Sequence, residues 1–200
     1  MSAAEALTAF TALFVVIDPI GLTPIFAALT AGLSARARNA IAFRALGLSA
    51  LILVVFAVSG ESLLGFLGIS MPAFRIAGGL LLFLTALEML FERRQERRDG
   101  NRDVVVDDPS VFPLALPLIA GPGAIATMIL LTDGGDAMNV ASAVGVMLAV
   151  LGVCLVLFQL AAPMERALGR VGINVVTRLL GMLLAALSVQ FVLDGVLAIW

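Results

Sequence analysis

The chain of 200 residues contains no histidine, no lysine and no tyrosine, and it has a single cysteine, Cys154. The absence of lysine excludes Schiff-base chemistry, and the absence of histidine and tyrosine excludes metal or haem sites that use those ligands. A single cysteine excludes a disulfide within the chain, and its apolar neighbours favour a packed thiol. We therefore expect no enzyme activity, no metal site and no bound cofactor.

Charge is scarce as well, because charged residues make up only 13% of the chain. Hydrophobic residues make up 62% and the mean hydropathy is +1.13, far above the values of a soluble domain. The sequence predicts a single all-α integral membrane domain over residues 1–200, with the lipid bilayer as a partner. A helix of about 20 apolar residues crosses the hydrocarbon core. Six segments are long enough, at residues 4–32, 40–60, 69–91, 111–132, 138–162 and 174–199.

All 12 basic residues are arginines, and their placement predicts the orientation. One side of the membrane holds Arg36, Arg38, Arg44, Arg93, Arg94, Arg97, Arg98, Arg102, Arg166, Arg170 and Arg178. Only Arg75 falls on the other side. Because arginine-rich loops stay in the cytoplasm, both termini are expected outside it. The first segment has no basic residue before it, so we do not expect a cleavable signal peptide.

The longest polar stretch joins the third and fourth segments, and we assign residues 93–110 to it as a cytoplasmic linker. Its five arginines are interleaved with acidic residues, so no net positive face for nucleic acid or acidic lipid survives. A solvated linker is the better interpretation, and no nucleic-acid partner is expected. At its end, Asp108 and Pro109 are predicted to be a cap and first-turn pair that opens the fourth helix.

The sequence IDPIGLTPIF interrupts the first apolar segment. An ionised carboxylate deep in a bilayer costs about 2.5 to 3.5 kcal/mol on insertion scales, so Asp18 needs protein or water around it. Asp18 can cap a helix that begins at Pro19, and Thr23 with Pro24 offers a second pair of the same kind. We therefore predict unwound backbone over residues 18–23. The Asp18 carboxylate could instead be a proton or cation site, and the cap is the interpretation we favour.

A second interruption lies in the fourth segment, in the sequence LIAGPGAIATMI, where Gly121, Pro122 and Gly123 stand about halfway along the crossing. Six of the chain's eight prolines lie in or beside the first and fourth segments. A proline inside a helix removes a hydrogen-bond donor and clashes with the preceding turn. The first and fourth helices are therefore predicted to be discontinuous.

One constant shift relates the two halves of the chain. A shift of 103 residues carries Pro19 to Pro122 and Arg75 to Arg178. Each copy contains three crossings, an odd number, so the second copy must be inverted relative to the first. We assign the repeats to residues 1–92 and 111–200. A single helix break is most simply a tolerated kink, but a pair related by a repeat indicates a ligand or ion site near the bilayer midplane.

A site between the two breaks suits a small zwitterion. The helix starts that follow the breaks aim free amide groups and positive dipole ends at a carboxylate. The carbonyl ends of the preceding half-helices, together with Asp18, suit an ammonium group or a small cation. Gly21, Gly121 and Gly123 let the backbone approach a ligand and leave little room for its side chain. We therefore expect glycine and alanine to bind better than leucine or phenylalanine.

Other polar and small residues have structural interpretations. Arg75 and Arg178 lie one to two turns inside their helices, and their equivalence under the shift suggests one shared role. Snorkelling, or pairing with a loop acid such as Glu61 or Glu165, is favoured over a gating salt bridge. Close contacts between helices are predicted at Gly78, Gly79, Gly181 with Ala185, and Gly145 with Ala149.

The two interrupted motifs, the six crossings and the basic central loop together resemble the MarC-like family of membrane proteins, which includes the SnatA neutral amino acid transporters. The resemblance covers essentially the whole chain. It implies transport of small neutral amino acids such as glycine and alanine across the bacterial inner membrane, coupled to Na⁺ or H⁺. The substrate-binding positions that it implies are Asp18, Pro19, Gly21, Thr23, Gly121, Pro122 and Gly123.

Two other classes of function remain open at this point. An intramembrane hydrolase would need a nucleophile with a base or paired aspartates, yet the position equivalent to Asp18 is Gly121. A membrane scaffold or assembly protein would not require two helix breaks at membrane depth. A water-accessible midplane would therefore separate a transporter from a scaffold.

Overall fold

The structure is a computed structural model that describes residues 1–91 and 108–199, apart from the side chains of Glu165 and Arg170. Most of the predicted linker 93–110 thus lies outside the described residues. Every regular element in the described ranges is helical. In chain order the helices are α1 Ala3–Ile17, α2 Pro19–Leu29, α3 Ala35–Phe66, α4 Met71–Leu90, α5 Ser110–Ile119, α6 Pro122–Leu131, α7 Ala137–Gln159 and α8 Ala161–Leu197.

The helices are long and apolar enough for a membrane protein, as the composition predicts. Five candidate spans occur in the described part of the chain. Helices α1 and α2 together form the first, and the other four are α3, α4, α7 and the Val171–Leu197 part of α8. Helices α5 and α6 make a sixth if they are counted as one span bent by 55°. The predicted all-α membrane fold is confirmed at this level.

Two predicted boundaries are wrong. Helix α3 continues to Phe66, six residues beyond the predicted end at residue 60. The stretch between residues 163 and 173, predicted as a loop, belongs to α8. Its only non-helical residue is Gly169, with φ 61° and ψ 175°. Because glycine adopts positive φ at little cost, one residue turns the chain there and its neighbours stay helical.

Helices α4 and α8 pack closely and run antiparallel. A Cβ placed on Gly79 would lie 2.7 Å from the Ser188 carbonyl oxygen, and one on Gly181 would lie 3.0 Å from Met89 Cβ. Residues later in α4 therefore contact residues earlier in α8, as expected for an antiparallel pair. These glycines let the two backbones approach, so the predicted helix contacts at these positions are confirmed. The same prediction is wrong for Gly145, which has no neighbour within 4 Å of a Cβ position.

The broken crossings pack on either side of this pair. Helices α1 and α2 contact α7 and α8, whereas α5 and α6 contact α3 and α6 also contacts α4. Helix α1 contacts α6 directly. The ends of the half-helices therefore meet in the centre of the helical core, where Ile17 and Ile119 are fully buried.

Candidate functional site at the two helix breaks

The first break is confined to a single residue. Asp18 adopts a left-handed conformation, with φ 54° and ψ 63°, between the end of α1 and the start of α2. Its amide donates to the Phe14 carbonyl at 2.9 Å and its carbonyl accepts from the Leu22 amide at 2.9 Å, so one residue serves both helices. Its carboxylate Oδ1 accepts a hydrogen bond from the Gly21 amide at 3.0 Å. The predicted cap is confirmed.

The predicted unwinding over residues 18–23 is wrong. Pro19 is the first residue of α2, and both Thr23 and Pro24 lie inside that helix. The Thr23 hydroxyl donates to the Pro19 carbonyl at 2.8 Å, so Thr23 caps nothing. A single left-handed residue ends α1 and lets α2 begin at the next position without a loop, so the two helices remain one candidate span.

Gly21 is required by the cap itself. A Cβ at this position would collide with the Asp18 carboxylate oxygen Oδ2. Any side chain at Gly21 would therefore push the Asp18 carboxylate away from the amide that it accepts from. The sequence interpretation assigned this glycine to close approach of a ligand, and the structure gives it a role within the protein.

The second break is longer and begins in a π-type helix. In α5 the amide of Ala120 donates to the carbonyl of Ala115 at 2.9 Å. Phe112 and Leu116 are extended, with φ near −125° and ψ 128°, because each precedes a proline. Gly121 is the N-cap of α6, and its missing Cβ avoids a collision with the Pro117 carbonyl. Helix α6 then starts at Pro122, as the sequence predicts.

The N-terminus of α6 has no side-chain cap. The first backbone hydrogen bond of the helix runs from the Ile125 amide to the Gly121 carbonyl at 3.0 Å. Pro122 has no amide hydrogen, and the amides of Gly123 and Ala124 come before the first backbone hydrogen bond of the helix. Both residues are buried. In α2 the corresponding region differs, because Asp18 already occupies the Gly21 amide.

The two breaks are neighbours in space. A Cβ placed on Gly123 would lie 3.2 Å from Val16 Cγ1, two residues before Asp18, and 2.9 Å from Leu82 Cδ2. Gly123 thus packs against the end of α1 and against α4. A larger residue there would collide with these helices. Among the other predicted site residues, Asp18, Pro19, Thr23 and Gly121 are buried, Gly21 is half-buried and Pro122 is exposed.

Two residues near the breaks carry little sequence signal. Thr127, fully buried, donates its hydroxyl to the Gly123 carbonyl at 2.8 Å, one turn into α6. The buried thiol of Cys154 on α7 lies within electrostatic range of Asp18. A threonine in an otherwise apolar helix is a weak signal. Nothing in the sequence places α7 beside Asp18.

An ion pair joins α4 to the turn that follows the C-terminal end of α6. Arg75 Nη2 lies 2.8 Å from Asp133 Oδ2, and the two side chains are 30% and 26% exposed. Arg75 thus pairs with a loop acid, one of the two predicted options, but the acid is Asp133 and not the suggested Glu61. Arg178, to which the shift of 103 residues carries Arg75, has an exposed side chain on α8.

A second ion pair holds the other end of the α5–α6 segment. Arg44 Nη1 lies 2.8 Å from Asp108 Oδ2, and Asp108 Oδ1 accepts from the hydroxyl and the amide of Ser110. These two hydrogen bonds hold the pKa of Asp108 below its ordinary value of 3.8, and Arg44 adds to the effect. Asp108 therefore binds the first residue of α5, but the helix has no side-chain cap, so the predicted cap at Asp108 is wrong. Pro109 stands at the N-cap and not in the first turn.

Comparison with known proteins decides the family. The model of the family described as MarC family integral membrane protein matches residues 4–200. The chain belongs to the MarC family. A UPF0056 membrane protein of Archaeoglobus fulgidus is 40% identical over 190 residues, covering 93% of this chain and 89% of that protein. The UPF0056 membrane protein YhcE of Escherichia coli is 36% identical over 196 residues, covering 96% and 91%.

The resemblance to the MarC family is therefore confirmed over nearly the whole chain. No solved structure matches this MarC family chain. The relatives are named as membrane proteins, which agrees with the apolar helices described above.

Proposed function

We propose that this MarC family protein is a secondary transporter of small neutral amino acids, of the glycine and alanine type, coupled to Na⁺ or H⁺. The observation that carries the proposal is the meeting of two helix restarts, at Pro19 and Pro122, inside one apolar helical core. Interrupted helices at membrane depth are tolerated only where protein or water surrounds them. Pairs of such helices are typical of transporter substrate sites.

The packing supports an inverted repeat of three crossings. In one half, α1 and α2 contact α7 and α8; in the other half, α6 contacts α3 and α4. Each of these partnerships has its counterpart under the shift of 103 residues that the sequence suggests. The antiparallel contact of α4 with α8 is also what a two-fold axis in the membrane plane requires. On this proposal, the two halves move around a central site in alternating access.

The two ion pairs support a sixth crossing. Arg44 lies near the start of α3 and pairs with Asp108, whereas Arg75 lies near the start of α4 and pairs with Asp133. Since α3 crosses the membrane between these two places, Asp108 and Asp133 belong at opposite faces. The bent pair α5–α6 would then be one broken span. Together with the arginine distribution, this arrangement supports the proposal that both termini lie outside the cytoplasm and that the protein spans the inner membrane.

The proposed substrate site has distinct positions for the two charges of a zwitterion. The uncapped N-terminus of α6 offers the amides of Gly123 and Ala124, with a positive dipole end, to a carboxylate. The end of α1 offers carbonyl groups, and Asp18 a negative charge, to an ammonium group. Because the Gly21 amide of α2 already donates to Asp18, we assign the substrate carboxylate to α6. The site therefore needs both breaks.

Calorimetry with glycine and glycinamide tests the proposal. Glycinamide keeps the amine and the size of glycine but lacks its carboxylate. We expect glycine to bind at least tenfold more tightly, because helix N-termini favour a negative group. Leucine is expected to bind worse than glycine. Equal affinities for glycine and glycinamide would show that α6 does not read a carboxylate, and the proposed site would be wrong.

Transport itself is measured in proteoliposomes. We expect uptake of labelled glycine that depends on an imposed Na⁺ or H⁺ gradient and is inhibited by alanine. A protein that binds glycine but moves none under either gradient would contradict the transport proposal while leaving the binding site intact.

A further inference from the structure

A stacked pair of aromatic rings lies beside the first break. Phe26 of α2 and Phe158 of α7 have ring centroids 4.4 Å apart and an interplanar angle of 5°. Both are buried, with 2% and 0% of their surfaces exposed. The guanidinium carbon of Arg38, in the first turns of α3, lies over the Phe26 ring at 6.0 Å from its centroid. Three different helices therefore meet in one stack.

The stack lies between Asp18 and one face of the membrane. We call this face the arginine face, because Arg36, Arg38 and Arg44 lie there. Phe26 is eight residues beyond Asp18, which is about 12 Å along α2 towards this face. Phe158 is one turn beyond Cys154, whose thiol is within electrostatic range of Asp18. Any path from the first break to the arginine face along α2 and α7 therefore meets these rings.

The other half of the chain has no such aromatic pair at the corresponding place. The shift of 103 residues carries Phe26 to Ile129, which packs against α3 as Phe26 packs against α7. Its neighbour there is Gly60, where a Cβ would lie 2.5 Å from Ile129 Cγ1. At this place an aliphatic side chain packed on the bare backbone of a glycine fills the space, with no stacked rings. The two routes from the centre are thus closed by different means.

We propose that Phe26 and Phe158 form the gate between the helix-break site and the arginine face, with Arg38 holding the Phe26 ring in place. The gate opens when α2 moves away from α7 and the rings separate. This inference rests on the proposed function, because a gate presupposes a pathway. Two parallel rings suit a gate, since they can close a narrow passage while stacked and open it by sliding or moving apart. A cation over the ring adds attraction from a residue of a third helix.

The protein contains its own reporter for this gate. Cys154 is the only cysteine, it is fully buried, and it lies on the site side of Phe158. The experiment measures the rate at which a membrane-impermeant methanethiosulfonate reagent labels Cys154 in sealed vesicles of both orientations. A cysteine replacing Arg36 in a Cys154→Ala background identifies the vesicles that expose the arginine face.

We expect Phe158→Ala to label at least tenfold faster than the unchanged protein from the arginine face, with no change from the opposite face. Val156→Ala is the matched control, because Val156 is on the same helix and 53% exposed. Its rate should equal that of the unchanged protein. Arg38→Gln should label faster than Arg36→Gln, because only Arg38 lies over the Phe26 ring.

A conservative variant keeps the test decisive if the alanine variant does not fold. Phe158→Leu retains most of the volume but removes the stacking, and we expect a severalfold faster rate from the arginine face. An unchanged rate in the folded leucine variant, or an equal increase from both faces, would overturn the proposal. Labelling requires no substrate. If the unchanged protein binds no glycine while Phe158→Ala still labels faster from the arginine face, the result counts against the proposed function and not against the gate.

Discussion

Asp18 occupies a conformation that glycine would adopt more easily. It is the only non-glycine residue with positive φ in the described part of the chain. Aspartate is among the few residues that tolerate this region, because its short side chain can bond to the local backbone. The hydrogen bond from Gly21 supplies that compensation. A carboxylate at a strained, buried position therefore indicates that the carboxylate itself has a role, of which the cap on α2 is the one that the structure shows.

Gly21→Ala tests the dependence of the cap on this glycine. We expect destabilisation of about 1–2 kcal/mol, because the new Cβ displaces the Asp18 carboxylate from the Gly21 amide. The measurement is the thermal melting temperature in detergent. Gly47→Ala in α3 is the matched control, since nothing lies within 4 Å of its Cβ position. That change should be neutral or stabilising by up to about 1 kcal/mol. Equal effects of the two changes would contradict the interpretation.

Asp18→Asn separates the cap from an ion site. Asparagine caps about as well as aspartate and also tolerates positive φ, so we expect unchanged melting. Its amide oxygen can accept from Gly21 and from an ammonium group, so we also expect most glycine uptake to remain. Gradient-driven uptake in proteoliposomes is the measurement. Complete loss of uptake in a variant with normal melting would assign the charge of Asp18 to ion coupling instead.

The sequence predicted the cap at Asp18 because capping depends on residues within one turn. It overestimated the unwinding, since two Xaa-Pro pairs look alike in sequence and only one of them starts a helix. Thr23 and Pro24 lie within α2 because that helix has already begun at Pro19. The role of Gly21 was also missed. Its constraint comes from the direction of the Asp18 side chain, which only the fold specifies.

At the scale of elements, an arginine of the first half holds each end of the α5–α6 segment. These pairs span 64 and 58 residues along the chain. Sequence reasoning predicted snorkelling or a loop acid for Arg75 and gave Glu61 as an example of such an acid. Asp133 is the partner because α6 packs directly against α4. Such pairings follow from helix packing, which the pattern of apolar residues does not determine.

Asp133→Asn is expected to destabilise the protein by about 1 kcal/mol or less, since both partners of this pair are partly exposed. Glu61→Gln should leave melting unchanged, because Glu61 is exposed and is not the partner of Arg75. The exchange of Arg75→Asp with Asp133→Arg should recover part of the loss. If Glu61→Gln is as harmful as Asp133→Asn, the ion pair is not the cause.

Asp108 gives a pH dependence of defined sign. Its pKa in the folded protein is below 3.8, so it binds protons less readily there than in the unfolded chain. Its contribution to stability is therefore complete above pH 3.8 and is lost as the pH falls through the folded value. Asp108→Asn should melt lower than the unchanged protein at pH 7, with a difference that shrinks in strong acid. Ser110→Ala should move this loss towards pH 3.8, since the hydroxyl is the main cause of the shift.

At the scale of the whole molecule, hydropathy located the crossings and charge predicted their orientation, since both are properties of single segments. The stack of Phe26 on Phe158 was not predicted. Phenylalanines in apolar spans carry no pattern that distinguishes a lipid-facing ring from a buried pair. These two rings are 132 positions apart in the chain, and only the packing of α2 on α7 brings them together.

Cysteine labelling in intact cells decides between five and six crossings. In a Cys154→Ala background, single cysteines replace Ala4, Met138, Arg36 and Arg166, which are all exposed. If α5 and α6 form one broken span, Ala4 and Met138 should label with an impermeant reagent from outside. Arg36 and Arg166 should label only after permeabilisation.

A re-entrant α5–α6 predicts a different pattern, because the chain would return to the face from which it entered. Met138 would then share the side of Arg36, and Arg166 would share the side of Ala4. The ion pairs favour the first pattern, since Asp108 and Asp133 are held by arginines near opposite ends of α3. If Met138 labels on the same side as Arg36, the first half has three crossings and the second half has two. An inverted repeat would then be impossible, and the two helix breaks would not face each other across a midplane site.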